Sequence, residues 1–178
     1  MKIFKAMAIS LVLFFSASVF AEEQNVVKVK FEHPEKYTDF KSVQNNSKIS
    51  RERLMRELPE LFAKSAKKSL AKGQHLELVI SDIDMAGTFV YSGNNIDTRG
   101  NYVNPNSEAV RVVNESDRVT LEFNYQLFDE NNKLVKQGDV NLSNRKLRLS
   151  KRPARQYRNT NFLYLMPLFD EWLKTLDS

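Results

Sequence analysis

The chain has 178 residues, with 27 Lys+Arg against 22 Asp+Glu, a formal charge of +5 and no cysteine. Disulfides, thiol catalysis and thiolate metal sites are thereby excluded, and the length suits one domain with a core of its own.

Met1 to Lys5 is a short basic start, and Ala6 to Phe15 is apolar but for Ser10. Ser16–Ala21 then offers small residues, with Val19 and Ala21 where a signal peptidase reads. This predicts a secretory signal cleaved after Ala21, leaving residues 22–178 as a single domain. An uncleaved anchor is the alternative, but the uninterrupted apolar run is shorter than the roughly 20 residues a span requires. Lys2 and Lys5 leave with the signal, so the mature charge is 25 cations against 22 acids, or +3. The basic balance is thus partly the signal itself. An exported chain without cysteine points to a bacterial periplasm, or to secretion, and makes nucleic acid a poor partner. The four phenylalanines of the signal leave eight, which with six tyrosines and Trp172 supply packing in place of cross-links.

Val27, Val29 and Phe31 alternate with Lys28, Lys30 and Glu32, the period of a half-buried strand that His33-Pro34 stops. After a polar connection, Ser50 is expected to cap a helix whose apolar face is Leu54, Leu58, Leu61, Phe62, Ala66 and Leu70, with Gly73 as its C-terminal cap. Pro59 interrupts this helix and predicts a kink. Leu76, Leu78 and Ile80 read as a second strand, ended or bulged at Gly87. Residues 91–107, rich in Asn, Gly and Asp, read as a long surface loop, and Val110–Val113 as a short edge strand.

The best-specified piece is a hairpin of Val119–Phe128 and Leu134–Ser143 around Asn131-Asn132, since asparagine tolerates left-handed turn geometry. Placing that pair at the tip sets Leu121 opposite Leu142, Phe123 opposite Val140 and Tyr125 opposite Gly138. The other face then pairs Thr120 with Ser143, Glu122 with Asn141 and Gln126 with Gln137. A one-residue slip would destroy the sorting. Met166-Pro167 opens a last helix with a buried stripe of Leu165, Leu168, Phe169, Trp172, Leu173 and Leu176. Together these predict an α+β fold, a two-layer sandwich with a mainly antiparallel sheet and two helices packed on one face.

Three constellations could carry chemistry. Asp82 and Asp84, read at period 2, continue the Leu76/Leu78/Ile80 face and could share a proton or help hold a metal, or could simply lie past the covering helix. His33 and His75, the two histidines, sit at strand ends where exposure is expected. Arg145, Lys146, Arg148, Lys151, Arg152, Arg155 and Arg158 place seven cations in fourteen residues with no acid among them. Such a run could clamp phosphates or anionic glycans, or be a solvated loop laid over aromatic surface. No cofactor or metal motif occurs.

Val29-Lys-Phe-Glu-His-Pro-Glu-Lys-Tyr-Thr-Asp-Phe40, Ser50-Arg-Glu-Arg-Leu54, Gly73-Gln-His-Leu-Glu77 and Ser81-Asp-Ile-Asp-Met-Ala-Gly87 are similar to segments of a bacterial family, domain of unknown function 3016. Tyr125-Gln-Leu-Phe-Asp129 and Gly138 fit it as well. The resemblance implies a bacterial exported domain and carries no catalytic residues over. The preferred reading is a non-enzymatic periplasmic module binding an envelope component, such as an anionic glycan or lipid, or a partner protein. The alternatives are a hydrolase or metal-binding enzyme using Asp82 and Asp84, and an assembly factor acting by strand addition.

Overall fold

The computed structural model describes residues 26–41, 47–91, 109–144, 157 and 160–176. The expected signal segment, most of the 91–107 loop and all seven cations of the 145–158 run lie outside the described residues.

In chain order the elements are β1 (Val27–Phe31), α1 (Ser47–Ser69), β2 (His75–Asp84), β3 (Thr88–Tyr91), β4 (Ala109–Val112), β5 (Val119–Phe128), β6 (Leu134–Asn144) and α2 (Leu165–Leu173). Four strands form one sheet in the order β1-β2-β5-β6, with only the β1/β2 pair parallel. β3 and β4 form a separate antiparallel ribbon. The fold is α+β, as expected, and among the described residues no helix is long and apolar enough to cross a membrane.

The hairpin register is the one the side-chain sorting demands. Leu121 faces Leu142, Phe123 faces Val140 and Tyr125 faces Gly138, while Glu122 faces Asn141 on the other side. At the tip, Asn132 has φ 59°, and the Asp129 carboxylate accepts the backbone N–H groups of Asn131 and Lys133 at 2.8 and 2.9 Å. Asp129 therefore holds the turn, a side-chain mimic of backbone pairing.

The helices bury the odd-numbered face of β5 and the even-numbered face at the start of β2. α1 lies against β1 and α2, and α2 lies over β5 and β6. Leu54, Leu58, Phe62 and Ala66 from α1 meet Leu76, Leu78, Ile80, Leu121 and Phe123 from the sheet and Met166, Phe169 and Leu173 from α2, all essentially sealed from solvent. Rings join the layers: Phe169 stacks on Phe62 at 4.0 Å, and Trp172 meets Phe123 edge-on at 4.7 Å. Lys136 donates to the carbonyls of Thr175 and Leu176 just beyond α2, where a cation suits the helix dipole.

Two local expectations, the cap at Ser50 and the cap at Gly73, are corrected. α1 begins at Ser47, so Ser50 is not its cap but a fully buried residue of the first turn. The helix passes through Pro59, which has no N–H for the carbonyl of Met55. Gly73 lies beyond the helix end, in a turn closed by the Gln74 N–H to the Ala71 carbonyl. Its φ is +85°, and a Cβ there would stand 2.6 Å from the Glu130 Cβ.

Candidate functional site

The segment Ser81–Gly87 is where the chain after β1, the end of β2 and β4 come together. β2 and β5 pair continuously to Ile80↔Phe123, then resume at Asp82↔Glu122, so Ser81 is an extra residue in β2. A bulge of this kind reverses which parity faces the core. Leu76, Leu78 and Ile80 are buried before it, and Ile83 and Met85 after it. Asp82 and Asp84 therefore do not continue the apolar face. They point to the opposite side of the sheet, a correction to the period-2 reading that no sequence pattern announced.

Asp82 takes up a structural task there. One carboxylate oxygen accepts the Thr38 N–H and the other the Thr38 hydroxyl, both at 2.7 Å. This fixes the chain after β1, which Tyr37 also anchors by donating its hydroxyl to the Ile80 carbonyl at 2.7 Å. Burial pushes the Tyr37 hydroxyl far above its ordinary range, so it stays a donor. Asp39 then forms a parallel bridge with Asp84 at the end of β2.

Asp84 is half-buried, and desolvation raises its pKa first, with Asp39 and Asp82 adding repulsion; the Arg111 guanidinium opposes them and Asp117 adds a little more repulsion. A raised folded-state pKa means that ionised Asp84 weakens the fold. Its favourable contribution is complete when the carboxyl is protonated and is lost as pH rises through the raised value. Asp84→Asn is therefore expected to raise Tm at pH 7 by on the order of 1–2 °C, a modest gain because solvent still screens much of the half-buried side chain. The gain should vanish in melts near pH 3; a variant no more stable than wild type at pH 7 would refute this sign.

The centre of the site is Arg111 on β4, which sequence reasoning passed over. Its Nη1 lies 2.7 Å from the Asp39 carboxylate and 2.6 Å from the Met85 carbonyl, with the Ala86 and Gly87 carbonyls at 3.1 and 3.3 Å. Nη2 donates to the Lys41 carbonyl at 3.0 Å. The guanidinium also lies 4.3 Å over the Phe89 ring. A lone arginine among valines, Val110-Arg111-Val112-Val113, was the available signal. Gly87 makes this approach possible: its φ is +96°, and a Cβ would stand 2.5 Å from the Val112 carbonyl oxygen.

Beside Arg111 opens a cleft of about 350 Å³. Val113, Val119, Leu163 and Leu165 give it aliphatic walls together with Met85 and Ala86, and Thr160, Asn161 and Tyr164 add polar groups. The volume is at the small end of the range for ligand sites, and the lining has the usual mixture of apolar surface and few polar groups.

The remaining candidates are not gathered here. His33 is exposed at φ 51° and lies 3.4 Å from Glu35. His75 pairs with Phe128 at the far end of β2 from Asp84, which pairs with Thr120. It is buried rather than exposed, stacked on Phe128 at 4.9 Å. Among the described residues no three His, Asp or Glu side chains converge to hold a metal. Arg145, Arg148, Lys151, Arg152, Arg155 and Arg158 are outside the described residues, but Tyr157 between them is placed. Its hydroxyl lies 2.8 Å from Ser65 Oγ on α1 and 2.9 Å from the Asp170 carboxylate on α2.

A family model described as protein of unknown function DUF3016 matches residues 25–175. The chain belongs to this family. The match takes in every described residue of the four-stranded sheet and the ribbon, together with Asp82, Asp84 and the cleft that Arg111 lines. No curated protein matches the chain. For this DUF3016 member, function is therefore argued from the geometry.

Proposed function

We propose that this chain, exported to the periplasm and relieved of residues 1–21, is a non-enzymatic binding domain whose ligand seats in the cleft beside Arg111. The observation that carries the reading is the cleft itself, a largely aliphatic hollow with a few hydrogen-bonding groups in its lining. Arg111, the charged residue in its lining, is already committed to Asp39 and backbone carbonyls, and Asp82 farther along β2 is committed to Thr38. Such groups position a site rather than move protons in it. That weighs against the hydrolase reading of Asp82 and Asp84, and His75 stands at the opposite end of β2 from them.

The ligand class that fits is an envelope component or partner-protein segment with an aliphatic body and a polar end. Hydrophobic contact would come from Val113, Val119, Leu163 and Leu165, and hydrogen bonding from Asn161 and Tyr164. The Arg145–Arg158 run supplies a second, anionic-ligand surface in this proposal, tied at Tyr157 to both helices.

Leu163 lines the cleft at the margin of the core, half-buried, and Leu163→Trp should fill the cleft. In a crosslinking pull-down from periplasm it is expected to lose the wild-type partner while keeping Tm within about 3 °C of wild type. Neutralising Arg148, Arg152 and Arg155 together should instead reduce capture of anionic glycan or lipid. Unchanged capture by the filled variant would reject the cleft as the site. β6, an 11-residue strand at one edge of the sheet, favours strand addition as a second reading, which monomeric behaviour without a captured partner would exclude.

A further inference from the structure

The β3–β4 ribbon is joined to the rest of the domain in an unusual way. Its strands pair only with each other, Thr88↔Val112 through Tyr91↔Ala109, and not with the four-stranded sheet. A two-stranded ribbon is marginal in water by itself. Of the ribbon side chains whose burial is described, Thr88 and Val112 are exposed and Phe89 and Arg111 are half-buried. The ribbon's hydrogen bonds to the body, among the described residues, all come from one side chain, Arg111, reaching Asp39, Lys41 and Met85–Gly87. At its base sits Gly87 with φ +96°, a backbone state that a glycine can leave and re-enter at little steric cost.

The ribbon is also one wall of the cleft. Arg111 lines the cleft on that side, while Met85, Ala86, Val119, Leu163 and Leu165 line it on the body side, with Val113 just past the end of β4 packed against the core. Moving the ribbon would widen the cleft without breaking any pairing in the four-stranded sheet.

We propose that the β3–β4 ribbon is a movable wall of the cleft, pinned by Arg111, that opens as a unit separate from the core. Arg111 is in this view a positioning residue: it sets the width of the cleft and the stability of the closed wall. The guanidinium suits the task because its five donors are spread over a rigid plane, so Nη1 and Nη2 reach acceptors on separate segments that a single ammonium would span less well. The use of the opening rests on the binding role proposed above, but the opening itself does not.

Native-state hydrogen exchange on the purified protein, without ligand, tests it. Amides of residues 89–91 and 110–112 are expected to exchange through an opening with little denaturant dependence, while Phe123 and Leu127 of β5 exchange only with global unfolding. Arg111→Lys keeps a charge opposite Asp39 and so should fold. It is expected to speed exchange in the ribbon by roughly 10–100-fold, the loss of one or two charge-assisted hydrogen bonds, and to leave β5 unchanged. Ribbon amides that share the rate and denaturant dependence of β5 in the wild type would overturn the proposal, and this arm stands even if the variant fails to fold. An Arg111→Lys ribbon protected as well as wild type would overturn it too. Failure of the pull-down with an opening ribbon would reject the binding role alone.

Discussion

Phe169→Ala is expected to cost about 3–5 kcal/mol, the largest loss from a single truncation in this fold. Phe169 is wholly buried at the point where α2, α1 and the sheet meet. Its ring stacks on Phe62 at 4.0 Å, with Phe123 at 6.3 Å and Trp172 at 5.4 Å. Removing it takes away both apolar burial and the ring contacts that bind three elements together, and the neighbours are themselves rigid rings that collapse poorly into the space. Against a typical total of about 5–15 kcal/mol, the loss would leave a marginal protein. Urea unfolding followed by Trp172 fluorescence measures it directly. Phe169→Leu, which refills most of the volume, should recover the greater part; equal losses in the two variants would show that the site is not packed as described.

Tyr157→Phe is expected to cost about 1–3 kcal/mol although it removes a single oxygen. Tyr157 is buried, and its hydroxyl bridges Ser65 on α1 and Asp170 on α2. Ser65 is buried as well, so the variant leaves its hydroxyl facing an apolar ring edge instead of a partner. The expected signature is coupling: Ser65→Ala should cost much less in the Tyr157→Phe background than in wild type. Strict additivity in that double-mutant cycle would mean the two hydroxyls do not depend on each other. Tyr157 lies within the Arg145–Arg158 stretch of the sequence, so the same variant bears on the anionic-ligand surface proposed for that stretch.

Much of this was legible along the chain. The hairpin could be registered residue by residue because its faces are sorted so cleanly that a single alignment keeps Leu121, Phe123 and Tyr125 on one side. α2 announced itself through Pro167 and a stripe of large apolar residues. β3 escaped because Thr88–Tyr91 is four residues long, directly after a glycine and leading into a polar stretch. Its pairing with β4 is a long-range contact that no local pattern encodes. The placement of Asp82 and Asp84 went wrong for a related reason. Period-2 reading assumes an unbroken ladder, and one extra residue at Ser81 inverts every position beyond it. His75 was read as exposed from its place at a strand start, yet Phe128, 53 residues along the chain and directly opposite it in the register, covers its ring.

The sequence by itself determined the elements with strong periodicity, the α+β class, the hairpin register and the absence of any thiol chemistry. These depend on composition and on spacing between near neighbours, where the side-chain period of a helix or strand is read off the chain. The tertiary structure alone decided that Arg111 is the centre of the candidate site, that Asp82 is a clamp for Thr38, and that Tyr157 locks two helices. Each of those roles belongs to a polar group satisfied by partners 13 to 92 positions away. Burial makes such partners necessary, but only the folded backbone settles which ones come within hydrogen-bonding reach.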